Sequence, residues 1–285
     1  MKIIFSDIDG TLAEHGSVSA STVNACKKVR ENGHKLFVCT GRPLSNIPDS
    51  ILQIGFDGVV SSGGASISVG RENKKTLIFE ACFPDALSRH IIEFLHETKT
   101  GFALELDDEI VANLYLDVFL KNILAKSKTA AKTAEAQKIE DKIMVFFKKF
   151  NFIDDERALW RKNIRKIVFM ENELFSWEKI AAELSATCEV FHGSIPLFGS
   201  GGGEISPQGV HKGLAVEKVA HFYCAPISDT VAIGDSDNDT QMILNAGVGI
   251  AMGNATPELK AIADFVTDDI RNDGFAKALA SQQLI

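Results

Sequence analysis

Met1-Lys-Ile-Ile-Phe-Ser-Asp-Ile-Asp-Gly-Thr-Leu12 decides the fold. Ile3, Ile4 and Phe5 form a continuous apolar run, the pattern of a strand buried on both faces of a parallel sheet. The run ends at Asp7-Ile-Asp-Gly-Thr11, which places two carboxylates two residues apart at the carboxyl end of the strand. Side chains two apart share a face of a strand, but Gly10 favours a bend that turns both acids into the crevice beyond the strand end. Open α/β sheets bind their ligands there. Carboxylates this close repel unless a cation or a shared proton relieves them. The pair therefore points to a hard divalent metal, a proton-transfer role, or both. Asp-Gly is also ordinary turn chemistry, so the rest of the chain has to decide.

Two further apolar runs end the same way. Lys35-Leu-Phe-Val-Cys39 stops at Thr40-Gly-Arg42, and Thr230-Val-Ala-Ile233 stops at Gly234-Asp-Ser-Asp-Asn-Asp239. Between the first two runs, Ser19 to Thr22 supplies N-cap candidates, and Val23, Ala25, Cys26 and Val29 follow at helical spacing up to Asn32-Gly33. A helix-like stretch from Leu44 to Ile54 leads to a short strand at Gly58-Val-Val60. Strand–helix alternation of this kind is the signature of a parallel sheet. In such a sheet the carboxyl ends lie on one edge, so Asp7, Asp9, Thr40 and the acids of residues 235–239 converge. Lys212 opens the helix before the third of these strands and brings an ammonium to the same edge. Carboxylates for Mg2+, a hydroxyl, a fixed cation and Gly-rich backbone are the parts that phosphoryl transfer needs.

From about Pro84 the alternation is lost. An amphipathic helix at Asp85 to Thr98, alternating stretches at Phe102 to Leu106, Lys142 to Phe147 and Lys166 to Met170, a helix at Phe175 to Leu184 and a strand at Glu189 to His192 suggest a separate α+β unit. Within it, between residues 115 and 166, Lys and Arg outnumber Asp and Glu by thirteen to seven. Such a stretch is read either as a solvated face or as an attractor of an anionic substrate. The α/β pattern resumes after Gly201, with hinges expected near Cys82–Pro84 and Gly193–Pro196.

Composition bounds the rest. At 285 residues the chain exceeds one typical domain, and 45% hydrophobic with 24% charged residues is ordinary for a soluble globular protein. A net charge of −8 argues against nucleic acid as a partner. The five cysteines are scattered without a C-x-x-C pair, which fits free thiols in a reducing cytosol and suggests no zinc site. No apolar run approaches the roughly 18 residues of a membrane span, so a soluble cytoplasmic protein without a membrane partner is expected. Monomer and homodimer both remain open.

Asp7-Ile-Asp-Gly-Thr11, Thr40-Gly-Arg42, Lys212 and Gly234-Asp-Ser-Asp-Asn-Asp239 together resemble the four motifs of the haloacid dehalogenase-like hydrolase superfamily. Their order and spacing are similar to those of its Cof-type phosphatases. The resemblance covers essentially the whole chain and implies an α/β fold, a Rossmann-like parallel-sheet core at residues 1–82 and 194–285 with an inserted α+β cap at 83–193. It further implies Mg2+ as cofactor and a small phosphate ester as substrate. Asp7 would be the nucleophile and Asp9 the acid and base. Thr40, Gly41, Arg42, Lys212 and Asn238 would bind substrate phosphate. Asp7, the carbonyl of Asp9, Asp235 and Asp239 would serve the metal site, Asp239 supporting either the ion or Lys212. Asp237 has no role in that pattern and reads as a solvated loop acid. Ser62-Gly-Gly-Ala65 stands where relatives usually have Asn-Gly-Ala. His192 and His211 read as structural or exposed. The competing classes are a phosphosugar mutase or other phosphotransferase, and a phospho-accepting signalling module. The short loop at 234–239 resembles the hydrolases, and Asp9 beside the acceptor opposes a lasting phosphoryl signal.

Overall fold

The computed structural model describes residues 1–14, 16–71, 74–106, 108–129, 144, 147–193 and 201–285. The chain divides into two compact units, Met1–Ala81 with Gly209–Ile285, and Cys82–Gln208.

The first unit begins with β1 (Ile3–Ser6), every residue of which is buried, as its unbroken apolar run requires. The helix Ala20–Glu31 starts where the Ser19 hydroxyl accepts the Thr22 N–H and buries Thr22, Ala25, Cys26 and Val29. β2 (Lys35–Cys39), β3 (Gly58–Ser61), β4 (Ser66–Val69) and β5 (Thr76–Glu80) follow. The Leu44 to Ile54 stretch is a single 3-10 turn, Leu44–Asn46, and a four-residue helix, Asp49–Leu52, rather than one helix. Pro48, between the two, has no N–H for a continuous helix.

The second unit is contiguous. Its strands are β6 (Gly101–Glu105), β7 (Ile110–Asn113), β8 (Phe150–Ile153), β9 (Lys166–Met170), β10 (Cys188–His192) and β11 (Gly202–Pro207). They form one sheet in the order β10-β11-β9-β6-β7-β8, antiparallel except between β7 and β8. Phe102, Leu104, Ile167, Phe169 and Ile205 pack with Ile91, Ile92 and Leu95 of the helix Asp85–Glu97 and with Ile180 and Leu184 of the helix Trp177–Leu184. On the opposite face Ala103, Ala112 and Met170 meet Leu116 and Leu120 of the helix Leu114–Thr129.

The expected boundary after residue 193 is corrected by β11. That strand pairs with β9 and β10, so the return to the first unit falls at Gln208/Gly209. Gly203 explains why: a Cβ there would stand 2.1 Å from the Phe169 ring, so a glycine that reads as loop in fact lets β11 lie against β9. Most of the alternation expected at Lys142 to Phe147, and Ser194–Pro196 of the expected second hinge, lie outside the described residues. Several cations of the described part of the basic stretch are paired with acids. Lys121 binds Asp117 at 2.6 Å, and Lys166 is buried between Glu204 at 3.1 Å and Glu105 at 3.4 Å.

Back in the first unit come the helix Lys212–Phe222, β12 (Thr230–Gly234), the helix Thr240–Asn245, β13 (Val248–Ala251), the helix Pro257–Ile262, β14 (Phe265–Val266) and the helix Gly274–Ser281. The eight-stranded sheet runs β14-β13-β12-β1-β2-β3-β4-β5. It is parallel from β14 to β3 and antiparallel beyond. β1 lies between β2 and β12, so three of the polar strand ends named above are adjacent at one edge.

Candidate active site

The Asp7 N–H donates to the Ile233 carbonyl at 3.1 Å, extending the parallel pairing of β1 with β12 by one residue. The chain then turns. The Ile8 carbonyl accepts the N–H groups of Thr11, Leu12 and Ala13, and the Gly10 N–H donates to the Ala13 carbonyl. Gly10 has φ +86°, and a Cβ there would lie 2.1 Å from Asp235 Oδ2. Only glycine allows both this turn and the approach of Asp235.

The two acids of the turn are held by different cations. Lys212 is fully buried and donates to Asp7 Oδ1 at 2.8 Å, Asp239 Oδ1 at 2.6 Å and Asn238 Oδ1 at 3.1 Å. Asp9 is gripped by both arms of Arg42, Nε to Oδ2 at 2.7 Å and Nη2 to Oδ1 at 2.6 Å. Arg42 also donates to the Asn46 carbonyl at 3.2 Å. Its guanidinium is thus bonded to Asp9, whereas the sequence pattern groups Arg42 with the phosphate ligands.

Thr40 and Gly41 follow β2. The Thr40 side chain is buried, and its oxygen accepts the Arg42 backbone N–H at 3.1 Å, which leaves the hydroxyl proton for an oxyanion. Asn238 accepts from Lys212 and from the Ser236 hydroxyl through the same oxygen, leaving its NH2 for a phosphate oxygen. Asp239 is wholly buried, and its second oxygen accepts the Asp235 and Ser236 N–H groups at 3.0 and 3.1 Å. With Ser236 it forms a reciprocal helix-start box. Of its two expected roles, support of Lys212 is the one visible in these contacts.

Lys212 is placed by close backbone packing. His211 precedes it and caps its helix, Nδ1 accepting the Leu214 N–H at 3.2 Å. Gly64, at φ +107°, lies so near that a Cβ would meet the His211 carbonyl at 2.4 Å. The Ser62-Gly-Gly-Ala65 turn thus abuts the residue beside Lys212. His192, by contrast, stacks on Trp177 with ring centroids 3.8 Å apart.

Asp7, Asp235 and Asp239 each offer an oxygen within 4.8 Å of the others. Burial pushes Asp7 up to about 7; Lys212 opposes this, while the charges of Asp239 and Asp9 reinforce it. Burial, then Asp7 and Asp239, push Asp235 up to about 8. One ammonium does not neutralise this cluster. An all-oxygen, carboxylate-rich site with uncompensated negative charge fits Mg2+. Asp9 lies outside the carboxylate cluster, so only its carbonyl is available for the ion.

The sequence assigned no role to Thr11, whose hydroxyl donates to Asp235 Oδ1 at 2.7 Å, or to Asn254, whose amide donates to the Gly10 carbonyl at 2.9 Å. Asp237 is not merely solvated, since it accepts the Thr256 hydroxyl at 3.2 Å. The pairing of Ser236 with Asp239 could have been found from its capping-box spacing. Asn254 gives no such local signal.

A parallel sheet that gathers an aspartate, a buried lysine, a hydroxyl and a Mg2+-type acid cluster defines a phosphohydrolase. The sequence profile of haloacid dehalogenase-like hydrolases matches residues 4–279, and the chain belongs to that family. It is 29% identical to phosphatase YwpJ of Bacillus subtilis over 301 aligned positions covering all of both chains. It is 28% identical to 5-amino-6-(5-phospho-D-ribitylamino)uracil phosphatase YwtE of the same organism, over 97% of this chain and 96% of that one. The fold is similar to that of the phosphatase BT1666 from Bacteroides thetaiotaomicron, with TM-score 0.78, 26% identity and 100% and 96% of the two chains covered. The protein is a Mg2+-dependent phosphatase of small phosphomonoesters, working through an aspartyl phosphate as its family does. Among the described residues no helix is long and apolar enough to cross a membrane.

Proposed function

We propose that Asp7 is the nucleophile and Asp9 the acid and base of this phosphatase. The observation that carries the reading is the Lys212 ammonium shared by Asp7, Asp239 and Asn238, which fixes the nucleophile and leaves a cation beside it. Asp7 attacks phosphorus, and the ester oxygen leaves with a proton from Asp9. Asp9, now a carboxylate, takes a proton from water as that water attacks the aspartyl phosphate, freeing Asp7 and inorganic phosphate. Thr40 and Asn238 donate to phosphate oxygens, and Arg42 holds the Asp9 carboxyl in place. Mg2+ bound by Asp7, Asp235 and the Asp9 carbonyl, with Asp239 behind them, would neutralise charge on the transferring group.

The reading extends to substrate. The motif residues handle phosphate and metal alone, so discrimination between alcohols falls to the middle unit, Cys82–Gln208. Relatives named for a phosphoribitylaminouracil and for HMP-PP suggest a sugar phosphate or a phosphorylated cofactor as substrate. A cytoplasmic location fits the five unpaired cysteines, and the acidic charge balance fits a small-molecule partner rather than nucleic acid.

Purified protein assayed with p-nitrophenyl phosphate, with Mg2+ and with EDTA, tests the assignment. Asp7→Ala is expected to lose several orders of magnitude in rate, and activity equal to wild type overturns it. A panel of metabolite phosphates then ranks substrates. Substitutions in the middle unit should alter that ranking while p-nitrophenyl phosphate turnover stays near wild type.

A further inference from the structure

We infer that Asn254 and Thr256 are positioning residues for the metal site, clasping the two loops that carry its acids; the inference rests on the reading of that site as a Mg2+ site. The segment leaves β13 beside the strand ends of β12 and β1. The Met252 N–H donates to the Gly234 carbonyl at 2.9 Å, and the Thr256 N–H to the Asp235 carbonyl at 3.1 Å. The Thr256 hydroxyl donates to Asp237 at 3.2 Å and accepts the Leu259 N–H that starts the helix Pro257–Ile262. The segment is thereby fastened to the loop 234–239 along its length.

Asn254 reaches the other loop. Its NH2 donates to the Gly10 carbonyl at 2.9 Å, while its side-chain oxygen accepts the Ile270 N–H at 3.0 Å. Both polar ends of one amide are thus committed, and Asn254 bridges the Asp7–Thr11 turn to the strand-end segment at 268–270. Gly253 fixes the far side, donating to the Asp268 carbonyl at 3.0 Å, with Lys260 on its own carbonyl at 2.6 Å.

The clasp matters because nothing cushions the contact it spans. Gly10 lies directly on the Asp235 carboxylate, so a shift of the Gly10 carbonyl moves a ligand. The acids of the two loops repel one another, and Mg2+ accepts little departure from octahedral geometry. A loop anchor that holds both backbones at one spacing therefore favours binding of the ion, although neither residue belongs to the carboxylate cluster. Asn254 is exposed, so its replacement leaves the buried core intact.

Three variants test this by calorimetric titration with Mg2+ alone and by melting temperature with and without the ion. Asn254→Asp keeps an oxygen for the Ile270 N–H but loses the donor to Gly10, and Asn254→Ala loses both. Each is expected to weaken Mg2+ binding by about tenfold, the lower end of what loss of a group outside the ligand set costs. The metal-free melting temperature should stay within about 2 °C of wild type, since surface changes of this kind cost little. Thr256→Val should weaken the ion, while Thr256→Ser retains both hydroxyl bonds and wild-type affinity. Unchanged Mg2+ affinity in both Asn254 variants overturns the inference, as does a fall in melting temperature with affinity unaltered. If an Asn254 variant fails to fold, equal affinities in Thr256→Val and Thr256→Ser overturn it instead. Calorimetry needs no turnover, so wild-type protein that binds Mg2+ but releases no phosphate refutes the enzymatic roles and not the clasp.

Discussion

Lys212→Met removes the ammonium on which the site depends and leaves a side chain of similar length. Three hydrogen bonds of 2.6 to 3.1 Å are lost, and two buried carboxylate oxygens, on Asp7 and Asp239, lose their cation. Removing one partner of a buried ion pair costs about 3–5 kcal/mol. The lower end applies, because Asp7, already pushed up to about 7, takes a proton when Lys212 is gone, and Asp239 keeps two backbone N–H donors. About 3 kcal/mol in a chain of this size corresponds to a melting temperature lowered by about 6–12 °C. Mg2+ replaces part of the missing positive charge, so the variant should gain more from the ion than wild type does. Turnover should fall by at least about 10²-fold, the usual effect of losing one preorganised donor to the reacting group. Differential scanning fluorimetry in EDTA and in Mg2+, with p-nitrophenyl phosphate kinetics, reads all three quantities. A metal-free melting temperature equal to wild type together with turnover within threefold would refute the charge argument.

Arg42→Lys loses the two-armed grip on Asp9. The pair is partly exposed, with side chains 32% and 44% accessible, so stability should change by no more than about 1 kcal/mol. Turnover should fall about tenfold with KM unaltered; a raised KM with unaltered turnover would return Arg42 to the phosphate. Asp7 and Asp235 have folded pKa values above those of the unfolded chain, about 7 and about 8. Their protonation therefore stabilises the metal-free fold fully below about pH 4, and that contribution is lost as pH rises through 7 and 8. Mg2+ competes with the same protons, so the melting shift it produces should grow between pH 6 and 9; a pH-independent shift contradicts this.

What was legible in the sequence was what residues announce locally. Apolar runs that end in acids gave β1, β2 and β12, and the topology of a parallel sheet then brought their ends together. β4 and β5 were missed: β4 alternates serine with Ile67 and Val69, and the Leu77-Ile78-Phe79 run of β5 lies at the sheet edge, where none of it is fully buried. β11 reads from the sequence only as a short extended piece between glycines, because Gly203 shows its purpose only against Phe169, on a strand that precedes it. The same limit hid Asn254, whose partner Gly10 is 244 positions away. The pairing of Arg42 with Asp9 gave no signal in the sequence, since the motif names a residue type and not the direction of a guanidinium.

The position of β1 between β2 and β12 also sets an order of assembly. Ile3 pairs with Lys35 on one side and with Thr230 on the other. In a flexible chain, closing the longer loop costs about 2 kcal/mol more than closing the shorter one. During synthesis the contiguous unit Cys82–Gln208 has emerged in full while one edge of β1 still waits for its partner. Folding of that unit draws residues 81 and 209 together and shortens the loop that remains to be closed. β1 therefore completes its pairing late, and a nascent chain stalled before Thr230 exposes an unpaired parallel edge at the centre of the sheet.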